Sequence, residues 1–255
     1  MRSRTYVVTG SASGIGRATC EQLEQAGHRV IDVDLRDAGV VADLGTPGGR
    51  ADMVAAVSAA SGGTVDAVVA NAGTTVDPER CIRVNYFGAV ATLEGLRPLL
   101  AGSDAPRAVA TASSSILNVR DNAIARACLD DDEPGAVALT AGANHLLAYP
   151  SSKRALARWV RRRAPGPQWA GAGIPLNAVA PGIVDTPMTA PMLAEDDMAE
   201  LLEAAVPMPL GGHAQAGDVA RLITFLADAG NTRITGQVVF IDGGADAVLR
   251  GDDIW

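Results

Sequence analysis

The chain has 255 residues, 48% of them hydrophobic, and a formal net charge of −8. This length suits one α/β domain, so we expect a single domain over residues 1–255. The acidic charge argues against a nucleic-acid or membrane partner. Three scattered cysteines, no signal-peptide pattern and no long apolar stretch predict a reduced, cytoplasmic protein. The three histidines have no ligand spacing, so no metal site is predicted.

Short β-branched segments alternate with helical patterns along the chain, which is typical of β–α–β units around a parallel sheet. Strands are predicted at Thr5–Thr9, Arg29–Val33, Gly39–Ala42, Val65–Ala70, Arg107–Ala112, Ile174–Ala180 and Gln237–Ile241. Helices are predicted at Ile15–Ala26, Arg50–Ala60, Val84–Leu100, Pro150–Arg163 and Gly217–Ala229. Right-handed crossovers would place helices on both faces of one doubly wound, Rossmann-type α/β sheet of about seven strands.

Two segments fall outside this alternation, near 114–147 and near 187–209. Both follow strands at the edge where open α/β sheets bind ligands, so they are predicted to be a substrate-site insertion and a lid. The acidic run at 130–133 in the insertion is interpreted as a solvated loop. Flexible apolar side chains suit a lid over a hydrophobic substrate, although the same spacing also fits packing against the core. These side chains are Met188, Met192, Leu193, Met198, Leu201, Leu202 and Met208.

A glycine-rich turn connects the first predicted strand to the first helix. Glycines let the backbone approach a pyrophosphate, and a helix N-terminus offers free N–H groups and a positive dipole end. The strand–turn–helix context favours a dinucleotide site over an ordinary turn. The turn residues predicted to bind this cofactor are Gly10, Ser13, Gly14, Ile15 and Gly16.

Asp34 ends the second predicted strand, about 20 residues after the glycine turn. A carboxylate there can accept hydrogen bonds from both adenosine ribose hydroxyls and would repel a 2′-phosphate, which predicts NAD as the cofactor in preference to NADP. Arg36 weakens this prediction, because an arginine can pair with the 2′-phosphate of NADP. The alternative is that Asp34 caps the next turn.

Tyr149 and Lys153 are four residues apart in a predicted helix and therefore share one face. A tyrosine has an ordinary pKa near 10, and a nearby cation favours the phenolate. We expect Tyr149 to act as a general base that takes a hydroxyl proton while hydride leaves for the nicotinamide. The alternative is an ordinary exposed pair.

The chain resembles the short-chain dehydrogenase/reductase family. The matching motifs are Thr9-Gly10-x-x-x-Gly14-x-Gly16, Asn71-Ala72-Gly73, Val84-Asn85, Tyr149-x-x-x-Lys153 and Asn177-Ala178-Val179-Ala180-Pro181-Gly182. The resemblance implies that Ser113 polarises the substrate oxygen, with Ser114 and Ser115 as one-residue alternatives. It also implies that Asn85 holds a water connected to the lysine, the alternative being a polar residue that stabilises a helix bend.

The same resemblance implies further cofactor contacts, in addition to Tyr149 and Lys153. Asp43 would accept from the adenine amino group, and Ile183 and Thr186 would contact the nicotinamide carboxamide. The other implied contacts are Leu35, Leu44, Asn71, Ala72, Gly73, Pro181 and Gly182.

Several stretches are most similar to the bacterial 3α-hydroxysteroid dehydrogenase/carbonyl reductase group, among them the segments 31–38, 84–89 and 241–248. This similarity implies a 3α-hydroxysteroid or another bulky alicyclic alcohol or ketone as substrate, and a homo-oligomer, either dimer or tetramer. The alternatives are a 3-oxoacyl or polyketide-type carbonyl reductase, a non-catalytic NAD(H)-binding regulator and a methyltransferase. A regulator would need no proton relay, and a methyltransferase function would not explain the pair of Tyr149 and Lys153.

Overall fold

The computed structural model describes residues 2–120 and 122–252, except for the side chains of residues 143–145. Strands in these ranges are β1 (Thr5–Thr9), β2 (Arg29–Asp34), β3 (Val40–Val41), β4 (Ala67–Ala70), β5 (Arg107–Thr111), β6 (Leu176–Pro181), β7 (Val184–Asp185), β8 (Ala214–Gln215) and β9 (Val238–Ile241). All seven predicted strands are present, with ends that differ by at most two residues.

The main sheet is parallel throughout, in the order β3-β2-β1-β4-β5-β6-β9. The order reverses between β1 and β4, so a crevice opens beyond the carboxyl ends of these strands. The predicted doubly wound, seven-stranded Rossmann-type sheet is therefore confirmed. The short strands β7 and β8 pair separately as a second parallel sheet.

Helices in the described ranges are α1 (Gly14–Gln25), α2 (Pro47–Ser61), α3 (Pro78–Ile82), α4 (Ala89–Leu100), α5 (Ala123–Leu129), α6 (Glu133–Ala138), α7 (Ala148–Arg163), α8 (Ala190–Leu193), α9 (Asp196–Ala205), α10 (Ala216–Ala227) and α11 (Ala245–Arg250). All five predicted helices are present. No helix in this part of the chain is long and apolar enough to cross a membrane.

Alternating side chains of the strands build a separate core on each face of the sheet, as the two-residue strand period requires. Val7 of β1 points into the core beneath α2, α4 and α7. Tyr6 and Val8 point into the opposite core, beneath α1 and α10. Burial on both faces explains why these strands are continuous apolar runs.

The helix predicted to begin at Val84 begins at Pro78. The Asp77 side chain accepts a hydrogen bond from Arg80 N at 2.8 Å, and proline is favoured in the first turn of a helix. The helix continues through a π-helical turn at Arg83–Gly88 into α4. Such π-turns are frequent at functional sites, and this one contains Asn85.

The insertion folds into two short 3₁₀ segments and the helices α5 and α6, which pack against α7 and α3. The interpretation of residues 130–133 as a solvated loop is wrong in part. Asp132 caps α6 by accepting from Gly135 N, and the largely buried Glu133 forms a 2.7 Å ion pair with Arg50 of α2. These contacts fix the insertion to the body of the domain.

Candidate active site

A cleft of about 350 Å³ opens at the carboxyl ends of the central strands. Its lining includes most of the residues predicted for the site: Gly10, Ser13, Gly14, Ile15, Asp34, Leu35, Asp43, Leu44, Asn71, Ala72, Gly73, Ser113, Tyr149, Lys153, Pro181, Gly182 and Thr186. Three predicted residues, Gly16, Asn85 and Ile183, are not part of this lining. Within the described residues, no group of three or more His, Cys, Asp or Glu side chains could hold a metal ion.

The glycine turn brings the backbone of α1 close to the end of β4. Gly10 has φ +71°, and a Cβ atom there would lie 2.8 Å from Ala72 Cα. A Cβ atom on Gly16 would lie 1.9 Å from the Gly10 carbonyl oxygen. Ser13 precedes α1 and makes no side-chain capping bond, so its hydroxyl and the first N–H groups of α1 are available to a ligand. This backbone arrangement fits a pyrophosphate.

Replacing Gly16 with alanine should destabilise the protein because the new methyl group overlaps the Gly10 carbonyl. Overpacking of this kind costs about 1–3 kcal/mol, which should lower the free energy of unfolding measured in urea. Gly217, also in the first turn of a helix, is the matched control, since its nearest neighbour to a new Cβ atom lies at 3.7 Å. Equal losses for Gly16→Ala and Gly217→Ala would contradict the steric argument.

Asp34 is held at the rim of the cleft by two backbone amides. Its Oδ2 accepts from Ala12 N at 3.0 Å, and its Oδ1 accepts from Leu35 N at 2.7 Å. The second contact is to the next residue along the chain, and the first ties β2 to the glycine turn. The carboxylate also lines the cleft, whereas Arg36 is exposed and absent from the lining. An anion fixed here fits ribose hydroxyls and opposes a 2′-phosphate.

Asp43 and Leu44 lie after β3, where Asp43 pairs with a residue that sequence reasoning missed. The Arg80 guanidinium donates to Asp43 Oδ1 at 3.0 Å and to Oδ2 at 3.3 Å, and it lines the cleft. This guanidinium holds the pKa of Asp43 below its ordinary value. No spacing rule connects two residues 37 positions apart on a loop and a helix, so the sequence carried no signal for the pair.

Asn71 joins the ends of three neighbouring strands. Its Nδ2 donates to the Thr9 carbonyl at 3.2 Å, and its Oδ1 accepts from Thr111 Oγ1 at 3.0 Å. The Thr9 hydroxyl in turn accepts from the N–H groups of Asn71 and Ala72. These bonds fix the floor of the cleft, on which Ala72 and Gly73 lie.

Ser113, Tyr149 and Lys153 meet at one end of the cleft. Ser113 follows β5, and its hydroxyl forms a hydrogen bond with the Tyr149 phenol, which lies in the first turn of α7. Lys153 Nζ is buried and donates to the Thr111 carbonyl at 2.7 Å. Neither Ser114 nor Ser115 contributes to the cleft lining, so the geometry favours Ser113 among the three serines.

The electrostatics of Tyr149 differ from the expectation that Lys153 lowers its pKa. Removal from water raises the pKa of the Tyr149 phenol, and the hydrogen bond with Ser113 opposes this rise only in part. The Lys153 ammonium lies 6.0 Å from the tyrosine ring centroid and donates to Thr111 instead. Burial lowers the pKa of Lys153 to about 8. In the protein alone, the expected lowering of the tyrosine pKa is therefore wrong.

Asn85 occupies the π-turn behind the cleft, and both groups of its side chain have protein partners. Its Oδ1 accepts from Thr74 N at 2.8 Å, while its Nδ2 donates to the Thr74 carbonyl at 3.0 Å and to Ser152 Oγ at 3.3 Å. These bonds support the alternative of a polar residue that stabilises a deformed helix. Asn85 Oδ1 and Lys153 Nζ would both lie 3.3 Å from a Cβ atom on Gly73, so both groups lie beside this glycine. The water relay stays a prediction.

The segment after β6 lines the cleft and approaches the glycine turn. The Thr186 methyl group would lie 3.2 Å from a Cβ atom on Gly14, which brings the two loops together. The Ile183 side chain turns away and packs with Val206 and Ala245. Lining residues that sequence reasoning missed are Val33, Ala42, Thr74, Arg80, Val84, Thr111, Ala112 and Val184, whereas Pro187, Met188 and Thr189 belong to the predicted lid segment.

Segment 187–209 was predicted to be either a lid over the substrate or a segment that packs against the core, and the structure has apolar side chains in both positions. Leu193, Leu202 and Met208 pack against a small core around Ile183. Met188 and Met198 are more than one third exposed, and Met188 lines the cleft. The segment therefore has an anchored side and an exposed apolar side.

Comparison with known proteins identifies two family models in the chain: the short chain dehydrogenase model matches residues 4–125, and the model described as enoyl-(acyl carrier protein) reductase matches residues 134–246. The chain is 37% identical to 3-alpha-hydroxysteroid dehydrogenase/carbonyl reductase of Comamonas testosteroni over 96% of its length and 97% of the relative. It is 33% identical to cis-4-hydroxycyclohexanecarboxylate dehydrogenase of Sinomonas cyclohexanicum, with 96% and 97% covered.

A solved structure agrees with these relatives. The 3-alpha-hydroxysteroid dehydrogenase of Pseudomonas sp. B-0831, crystallised with NADH, superimposes with a TM-score of 0.90 at 39% identity and covers 97% of this chain and 99% of that one. The strand order, the glycine turn and the Ser113, Tyr149 and Lys153 group occur together in one cleft. The chain belongs to the short-chain dehydrogenase family and is an oxidoreductase of that family.

Proposed function

We propose that this protein is an NAD(H)-dependent dehydrogenase that interconverts a ring secondary alcohol, such as a 3α-hydroxysteroid, and the corresponding ketone. One observation carries the proposal: Ser113, Tyr149 and Lys153 lie in the same cleft as the glycine turn and the Asp34 carboxylate. The named relatives support the substrate class, since a hydroxysteroid and a hydroxycyclohexanecarboxylate are both alicyclic alcohols. The NADH in the Pseudomonas structure and the fixed carboxylate of Asp34 support NAD.

In the proposed reaction, oxidation of the alcohol releases a hydride and a proton, and each goes to a different acceptor. Bound NAD supplies a nicotinamide ring that accepts the hydride from the carbinol carbon. The Tyr149 phenolate accepts the hydroxyl proton, and Ser113, already bonded to the phenol, orients the substrate oxygen. Because burial raises its pKa, Tyr149 is protonated at neutral pH and suited to donate to a carbonyl oxygen. Oxidation needs the deprotonated phenol, so its rate should increase at alkaline pH.

The remaining roles follow from position. The glycine turn would hold the pyrophosphate, and Asp34 would hold the adenosine ribose. Lys153 would contact the nicotinamide ribose with the N–H groups that Thr111 leaves free. Pro181, Gly182 and the backbone of Ile183 would border the nicotinamide, together with Thr186. Residues 187–209 would cover the substrate as a lid, and the insertion at 114–147 would form the neighbouring wall.

We further propose a cytoplasmic homo-oligomer, either dimer or tetramer. The helices α5 and α6 cover part of the surface formed by α3 and α7, so assembly through that surface would have to include the insertion. Static light scattering of the purified protein tests the assembly. A monomer at micromolar concentration would exclude it.

Cofactor binding should weaken as pH rises through about 8, the pKa to which burial lowers Lys153. Below that pH the ammonium offers a charged donor to the ribose, and above it the charge is lost. We expect the dissociation constant of NAD, measured by calorimetry, to increase several-fold between pH 7 and pH 9.5. Lys153→Met should bind NAD weakly at both values. If the NAD dissociation constant of Lys153→Met depended on pH as that of the wild type does, another titrating group would be responsible.

The test of the proposed function is reduction of NAD or NADP by the purified protein across a panel of 3α- and 3β-hydroxysteroids, cyclohexanols and acyclic secondary alcohols. Turnover of a ring alcohol with NAD is the expected result. Activity only on acyclic 3-hydroxyacyl compounds with NADP would favour the 3-oxoacyl reductase alternative. No turnover with any alcohol would contradict the proposal.

A further inference from the structure

Arg80 belongs to the wall of the cleft that contains Asp43, at the end predicted to take the adenine ring. The cleft lining also contains the apolar side chains of Val33, Ala42, Leu44 and Val84. Asp43 and Arg80 are thus two charged groups of the cleft that are available to the edge of a bound base. Their side chains are about one third and two fifths exposed, so both remain accessible from the cleft.

The hydrogen bonds that Asp43 accepts within the protein leave one acceptor position of its carboxylate unfilled. An ionised carboxylate has about four acceptor positions. Oδ1 accepts from Gly45 N at 2.9 Å and from Arg80 at 3.0 Å, and Oδ2 accepts from Arg80 at 3.3 Å. Three positions are thus filled, and the fourth lies on Oδ2. Two bonds from one planar guanidinium also fix the plane of the carboxylate.

We infer that Arg80 is a positioning residue that holds Asp43 with one acceptor position directed to the base, so that Asp43 selects adenine over a base with a carbonyl group at the same position. This inference rests on the proposed binding of NAD. The exocyclic amino group of adenine can donate to the open position on Oδ2. Hypoxanthine carries a carbonyl oxygen there, which the carboxylate repels. Without Arg80, Asp43 would retain only the Gly45 bond and could turn to solvent.

The test compares NAD with nicotinamide hypoxanthine dinucleotide by calorimetry. One hydrogen bond to a charged group corresponds to about tenfold in affinity, so the wild type should bind NAD roughly ten times more tightly than the analogue. Arg80→Met should reduce this ratio to about threefold or less while retaining its melting temperature. Arg80→Lys, which keeps the charge and loses the second bond, should fall between the two. Asp43→Asn should abolish the preference.

Arg221→Met is the matched control, because Arg221 forms an exposed ion pair with Asp218 on α10, away from the cleft. This variant should keep the wild-type ratio. An Arg80→Met protein with the wild-type ratio would overturn the inference and leave Arg80 as a wall residue. A wild type that binds both dinucleotides equally would overturn the inference alone. A wild type that binds neither would overturn both the inference and the proposed function.

Discussion

Replacing Tyr149 with phenylalanine should reduce turnover by about 10²–10⁴-fold, the contribution that general acid–base catalysis typically makes. The phenol is placed to exchange a proton with the substrate, and its hydroxyl forms a hydrogen bond with Ser113. Phenylalanine keeps the ring and removes only that hydroxyl. We therefore expect NAD to bind within about threefold of the wild-type affinity, while kcat for the best alcohol of the panel decreases.

The chain provides its own controls, because its other tyrosines, Tyr6 and Tyr86, are buried outside the cleft. Tyr86→Phe should leave kcat nearly unchanged. Ser113→Ala should lower kcat less than Tyr149→Phe, because the phenol remains available for proton transfer. Turnover by Tyr149→Phe within tenfold of the wild type would remove Tyr149 as the proton-transfer group.

Local sequence patterns were sufficient to predict the fold. The segments that form β1, β4 and β5 are largely apolar because they are buried on both faces, and this pattern predicted their ends to within two residues. The helix that carries Asn85 was predicted six residues too short. Its start depends on the capping by Asp77 and on Pro78, and the segment in between has a π-turn that no regular helical period describes.

The candidate site was predictable where a motif carried it. The glycine turn and the pair of Tyr149 and Lys153 have fixed spacings, and the cleft brings them together. The partnership of Arg80 with Asp43 and the direction of the tyrosine pKa could not be predicted. Both depend on burial and on contacts between distant segments, which spacing along the chain does not encode.

Replacing Asp34 with asparagine should change cofactor preference more than it changes turnover. Hydrogen bonds to charged groups contribute about 1.5–3 kcal/mol, so losing the charge should weaken NAD binding by roughly tenfold to a hundredfold. NADP binding should improve, because the repulsion of the 2′-phosphate is removed. The amide oxygen can still accept from Ala12 or Leu35, which keeps the loop close to its native position.

Asp32 is the matched control for Asp34. It lies two residues earlier on β2, accepts from Gly39 N at 2.9 Å and does not line the cleft. Asp32→Asn should therefore leave the ratio of kcat/KM for NAD to that for NADP unchanged, whereas Asp34→Asn should lower it by at least about tenfold. If both variants shift the ratio equally, net charge at this edge of the sheet selects the cofactor. A shift confined to Asp34→Asn assigns the selection to its carboxylate, the anion that two backbone amides hold at the rim.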